Sequence, residues 1–271
     1  MNMFRHTLSV SRFLILLLAL QPGEAPAQLR ILRSPFSDGE VLRYKVKWNF
    51  IRVGTVMISQ REMNERGMRK TVVHMAARST VPLVNVELRH QGLIRHDMPA
   101  LESVRIITGE DSAMVSDFIH QDDTLILVDS VAGSAVRADT LRWVGPLYDG
   151  VSLLMVARIL SAGNEQLTLP TVNNYQIGRT DLEFTGETEM IDAAALRREI
   201  RCRRIRGVAH WDGKSFAGMS GDFVAWISDD EAAVPLRAEV SIVLGSIVLE
   251  LESYERREWP DMETIRHAAI N

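Results

Sequence analysis

Cysteine is nearly absent from the 271 residues, with Cys202 standing alone. A lone thiol closes no internal disulfide and builds no Cys-based metal site. Aromatic residues make up only 6% of the chain. An integral outer-membrane barrel needs aromatic girdles and an apolar outward band, so that class is disfavoured. Positive charge is not in excess, at 31 Lys and Arg against 35 Asp and Glu, whereas a nucleic-acid partner calls for a strongly basic surface. The histidines form neither H-x-H nor H-E-x-x-H, the local zinc patterns. No motif calls for a metal or other cofactor, and no repeat or low-complexity segment is evident.

Long hydrophobic runs are missing as well. The one apolar stretch, Phe13–Leu20, is far shorter than the roughly 20 residues a permanent helical anchor takes. Arg5 and Arg12 precede it, Pro22 and Gly23 break it, and Ala25-Pro26-Ala27 ends it with small residues. That order predicts a secretory signal peptide over residues 1–27, cleaved after Ala27. No Cys follows the run, so no lipid attachment is encoded there. Cleavage removes Arg5, Arg12 and Glu24, leaving 29 basic and 34 acidic residues. The expected location is periplasmic or secreted, with no integral membrane segment after cleavage. The remainder divides into a single β-rich domain over 28–258, long enough to bury a full core, and a C-terminal tail over 259–271 without a sustained pattern.

What is present is alternation. In "LRYKVKW", Leu42, Tyr44, Val46 and Trp48 share one face while Arg43, Lys45 and Lys47 share the other, the mark of a half-buried strand. Similar runs follow through residue 131, separated by short Gly, Asp and Asn turns, as in an antiparallel meander. Near the C-terminus, "AEVSIVLGSIVLELESYE" predicts a hairpin turning at Gly245-Ser246. In that register Leu244 faces Ile247, Ile242 faces Leu249 and Val240 faces Leu251, with all six on one face. One stretch breaks the rule. "LYDGVSLLMVARILSAGN" predicts a helix over about 150–162, capped by Asp149 and ended near Gly163. Its stripe of Leu153, Leu154, Val156, Ala157 and Leu160 is core-like. The expected fold is mainly β: a curved antiparallel sheet or partly open β-barrel with this one packed helix plugging an open side.

Several side chains carry possible chemistry. Ser152 follows Gly150, but Leu154 stands where a G-x-S-x-G elbow needs its second glycine, so capping is the simpler role. Asp122-Asp123 and Asp229-Asp230 each sit between strand-like runs and read as turns, although paired acids facing across a cleft can hydrolyse glycosides. Arg158 is the one cation on an apolar helix, and Asp229 or Asp230 is its expected buried partner. "LRREIRCRRIRG" packs six arginines into ten residues. Ile200 and Cys202 are expected inward, Arg201 and Arg203 outward, with a bulge before Ile205. Such a strand is either a ladder paired with acids such as Glu187 and Glu189 or a surface for an anionic ligand.

The run from Phe36 through Trp48 with Gly54 after it, the helix "DGVSLLMVAR" and the segment "AWISDDEAAVPLRAEV" resemble the domain-of-unknown-function 3108 family of exported bacterial envelope proteins. The resemblance spans about Phe36 to Glu255. Matching positions are Gly39, Glu40, Tyr44, Gly54, Asp149, Ser152, Arg158, Trp226, Asp229, Asp230, Pro235 and Arg237. It implies compartment and β architecture and carries no mechanism, cofactor or catalytic residue. Candidate ligand or motif positions are therefore Tyr44, Asp149, Ser152, Arg158, Arg201, Arg203, Trp226, Asp229, Asp230 and Arg237. The expected role is non-enzymatic binding of an envelope lipid, glycan or protein. The alternative is a hydrolase of envelope polymers working through Asp149, Ser152 or the Asp229-Asp230 pair.

Overall fold

The computed structural model describes residues 34–81, 87–109, 113–173, 176–210, 221–242 and 245–256. The expected signal peptide and the expected C-terminal tail lie outside the described residues. Within them, alternation becomes fourteen antiparallel strands in one sheet. The first wing runs β1 (Val41–Trp48), β2 (Ile51–Glu65), β3 (Met68–Ser79), β4 (Glu87–Arg95), β5 (Leu101–Thr108), β6 (Met114–Gln121), β7 (Thr124–Val131) and β8 (Ser134–Arg142). Helix α1 (Gly150–Leu160) leads into the second wing: β9 (Gln166–Asn173), β10 (Gln176–Ala193), β11 (Arg198–His210), β12 (Gly221–Ser228), β13 (Pro235–Ile242) and β14 (Gly245–Glu255). β1 pairs with β14, so the wings join at the middle of the sheet and β8 and β9 are its free edges. The sheet is not closed.

The sheet curls around α1. Val151, Leu153, Met155, Val156, Ile159 and Leu160 are buried in one core with Leu42 and Tyr44 of β1, Ile58 of β2, Ile205 of β11 and Leu251 of β14. The expected stripe was too narrow: Met155 and Ile159 are fully enclosed, whereas Leu154 and Ala157 are only half-buried. A helix wrapped on several sides buries more than one stripe. The segment before the helix links the start of β5 to the free edge strand β9. Leu101 N–H donates to the Leu147 carbonyl (2.7 Å), Tyr148 N–H to Pro170 (3.0 Å), and Val172 N–H to Tyr148 (2.8 Å). Leu147 and Val172 join Leu101, Val104, Phe118, Leu125 and Leu127 in a second core beneath that seam.

Two expected features are displaced. In the C-terminal hairpin, Ile242 pairs with Gly245, Ser241 with Ser246 and Val240 with Ile247. Gly245-Ser246 is thus paired strand rather than turn, and Val243 and Leu244 lie outside the described residues. Each partner is displaced by four residues, an even number, so parity survives and the apolar face stays the same. The irregularity beside Ile205 lies not in β11 but across from it. β10 inserts extra residues between Phe184 and Thr188, with Gly186 at φ 68°.

Gly54 faces Ser79 of β3 so closely that a Cβ there would lie 2.6 Å from the Arg78 carbonyl oxygen. Backbone cannot yield as a side chain tip does. Gly54→Ala is expected to lower stability by about 1–3 kcal/mol in urea unfolding. Gly150→Ala, with nothing within 4 Å of its added carbon, is the matched control and should be near neutral.

Candidate functional site

The side chains singled out by sequence fall into two buried polar clusters at the two ends of α1 and one charged strip on the sheet. At the helix start, Asp149 is the N-cap. Its Oδ1 accepts the Ser152 N–H (2.9 Å) and the Ser152 hydroxyl (2.6 Å), while Asp149 N–H donates back to Ser152 Oγ (2.7 Å). This is a reciprocal capping box with serine in the return position. His90 of β4 adds a third partner, its Nε2 lying 2.7 Å from Asp149 Oδ2. Burial alone would raise the Asp149 pKa, but the hydrogen bond and charge of His90, followed by the bonds from Ser152, hold it below the usual carboxylate value.

The order of groups decides the chemistry. The carboxylate sits between serine and histidine, whereas nucleophilic catalysis needs the imidazole between them to take the hydroxyl proton. Ser152 is fully buried and donates to a carboxylate already held in its weakly basic form. It works as a cap.

At the other end of α1 lies Arg158, completely buried, against an equally buried Glu40. Arg158 Nη1 meets Glu40 Oε2 at 2.7 Å and Nη2 meets Oε1 at 2.8 Å, a two-pronged pair. Its remaining donors reach the carbonyls of Ala233 (Nε, 2.9 Å) and Ala232 (Nη2, 3.0 Å). Glu40 also accepts from Gln60 Nε2 and from the Tyr254 hydroxyl (3.3 Å). The Tyr44 hydroxyl donates to the Pro235 carbonyl at 2.9 Å, and burial drives its pKa upward so that it stays protonated.

The expected partnership of Arg158 with Asp229 or Asp230 is therefore corrected. The right turn is engaged, but through backbone oxygens. Asp230 Oδ1 accepts from Ser228 Oγ (2.8 Å) and from the N–H groups of Ala232 and Ala233 (3.0 Å each). Val234 N–H donates to Ser228 Oγ at 2.7 Å. Asp230 and Ser228 thus fold the β12–β13 turn so that its carbonyls point at the guanidinium. Parity along β1 carried the missed signal, since Glu40, Leu42 and Tyr44 alternate inward together. His90, Gln60 and Tyr254 come from distant strands and left no local trace.

Asp229 belongs to the arginine strip. Arg201 Nε lies 3.0 Å from its Oδ2 and Arg203 Nε 2.9 Å from its Oδ1. Arg204 pairs with Glu187, and Arg206 reaches Glu183 at 3.9 Å. Glu189 accepts instead from Trp226 Nε1 (2.8 Å), and Arg237 stacks over the Trp226 ring at 5.3 Å. The ladder reading accounts for Arg201 and Arg203. Cys202, between them in sequence, faces the hydrophobic core, and burial, reinforced by Asp230 and Asp229, pushes its thiol up to about 12. Among the described residues no three His, Cys, Asp or Glu side chains converge on a metal position.

A second apolar region lies at the end of the sheet away from α1. Down the inward row of β1, exposure rises from 0% at Leu42 and 4% at Tyr44 through a half-buried Val46 to 39% at Trp48. Leu249 and Phe223 pack against the core while half-exposed. Val240, Ile247 and Leu88 continue the same inward rows and are also half-buried. The helix fills one end of the curl, and among the described residues the other end, its mouth, leaves these apolar side chains half-exposed.

Removing one half of the Glu40–Arg158 pair strands the other, so Arg158→Met should cost about 3–5 kcal/mol. Glu40→Leu combined with Arg158→Met should recover part of that loss in the same urea titration. Asp149 behaves differently with pH. Its folded pKa is below the unfolded value of about 3.9, so its contribution is complete above that value and lost as pH falls through the folded pKa. Asp149→Asn is expected to be less stable than wild type by about 1–2 kcal/mol at neutral pH. Unfolding at a series of pH values should find that gap closing below about pH 4.

Comparison with known proteins agrees with this architecture. A crystal structure of a β-barrel-like protein of domain of unknown function DUF1849 from Brucella abortus superposes with a TM-score of 0.54 at 7% identity, covering 83% of this chain and 100% of that one. A putative lipoprotein from Parabacteroides distasonis (TM-score 0.35, 9% identity, 82% and 99% covered) is more distant. So is the hypothetical protein CT021 from Chlamydia trachomatis (0.34, 8%, 82% and 89%). No curated protein matches the sequence. The model of the family described as protein of unknown function (DUF3108) matches residues 43–252, most of the chain, and the protein belongs to that family.

Proposed function

We propose that this is an exported, non-enzymatic envelope protein that binds the apolar part of a lipid in the mouth of its open barrel. The observation that carries this reading is the exposure gradient on the inner face. Apolar side chains that would be sealed in a closed core are left half-exposed, on several strands at once, at the end the helix does not reach. Concave apolar surface of that kind favours an apolar occupant at about 25 cal/mol per Å² removed from water. The charged groups named by sequence do not compete for the role. Asp149, Ser152, Arg158, Asp229 and Asp230 are all engaged within the fold. Export rests on the N-terminal pattern alone, and no helix among the described residues is long and apolar enough to cross a membrane.

The test uses protein recovered from the exported fraction, expected to begin at Gln28, titrated with a fluorescent long-chain fatty acid. Val240 and Ile247 face each other across β13 and β14 in the mouth. Val240→Thr with Ile247→Thr keeps β-branched residues in both strands and should weaken probe binding at least about tenfold, because three apolar carbons give way to two hydroxyls. Lack of saturable binding to wild type, or equal binding by the variant, refutes the reading.

A further inference from the structure

The β1–β2 hairpin ends in an anomaly. Its two-residue turn is Asn49-Phe50, with Asn49 at φ 53°, between the paired residues Trp48 and Ile51. Phe50 is 86% exposed and Ile51 52%. Two-residue turns favour Asn, Asp and Gly, and the hairpins at the helix end obey that rule with Arg66-Gly67 and Asp122-Asp123. Phenylalanine at a tip contributes nothing to the core and costs solubility. The tip is also braced. Asn49 N–H donates to the Ser246 carbonyl at 3.2 Å, and the Asn49 side chain fills the space beside Gly245 where a Cβ would sit 2.7 Å away. It projects rigidly beside the mouth, because Trp48 ends the same inward row as Tyr44 and Val46.

We propose that this tip inserts into a phospholipid surface and sets the mouth against the bilayer. The idea rests on the mouth as the lipid site. Phe50 and Ile51 lead, Trp48 follows at the depth where indole rings settle in the headgroup layer, and Lys47 and Arg52 form the next pair back, placed for their heads to reach phosphates. The sequence carries no acid from Trp48 to Thr55 or from Gly245 to Leu249. Lys45 and Lys47 share the single carboxylate of Glu250, at 3.0 and 2.8 Å, and Arg52 takes Glu252, so the hairpin base holds one cation more than its partner acids. A convex tip of three apolar side chains cannot furnish the roughly 800 Å² per partner of a stable protein interface. An interfacial anchor needs only buried apolar area and charge attraction, without shape complementarity.

Flotation of the exported protein with vesicles tests this, one set of phosphatidylethanolamine with phosphatidylglycerol and one of phosphatidylcholine alone. Wild type is expected to float with both and more with the anionic set. Phe50→Ser with Ile51→Ser should cut the floated fraction about tenfold. Phe50→Ser alone, at the turn and outside the paired inward rows, should lower flotation while leaving the melting temperature and, without vesicles, fatty-acid probe binding unchanged. Phe50→Trp should float like wild type. If wild type stays at the bottom with both vesicle types, or the double-serine variant floats equally well, the proposal is wrong. Tip-dependent flotation without probe binding would uphold the anchor while removing the lipid site.

Discussion

The fold turns on one buried ion pair. Glu40 stands just ahead of β1, Arg158 on helix α1, and the carbonyls of Ala232 and Ala233 on the turn between β12 and β13. Those three places are distant in sequence and lie on both wings of the sheet. Joining two charges out of water is expensive unless every remaining donor and acceptor is met. Here the guanidinium spends its donors on one carboxylate and two backbone oxygens, and the carboxylate gathers Gln60 and Tyr254 as well. The gain is position. Leucines along α1 would pack in several rotations, but only one rotation puts Arg158 onto Glu40.

That constraint explains the asymmetry of the molecule. With the helix pinned at both ends, by His90 and Asp149 at its start and Glu40 near its end, it fills one half of the curled sheet. Strands that pass beyond the helix carry their inward rows on past it, and among the described residues those apolar side chains stay half-buried. The half-buried apolar mouth is what remains. An exposed Phe50 and Ile51 at its rim then have a common explanation with the mouth itself, since both present apolar surface at the same end.

The charged groups that attract notice in the sequence have quieter roles. Arg201 and Arg203 converge on Asp229 and fasten β11 to the β12–β13 turn. Asp230 orders the same turn from within. The Asp229 carboxylate is nearly buried beneath the two guanidinium groups, and the shared effect of these contacts is to hold the two carbonyls that Arg158 needs.

Local pattern alone determined the β architecture, the single helix, its Asp149 cap and the inward face of β1 and β14. Alternation and capping depend on neighbours within a few residues, so they survive without knowledge of the fold. Parity even outlived an error of register in the last hairpin, because a shift by an even number of residues leaves the faces unchanged. Partner choice was another matter. Arg158 marked itself as needing a partner, but the acid 118 positions away was chosen by how the sheet curls. The same holds for His90 on Asp149 and for the mouth, which exists only because fourteen strands bend around a helix too short to fill them. Contacts between strands distant in sequence follow from accumulated twist and coiling, and no window of residues contains that sum.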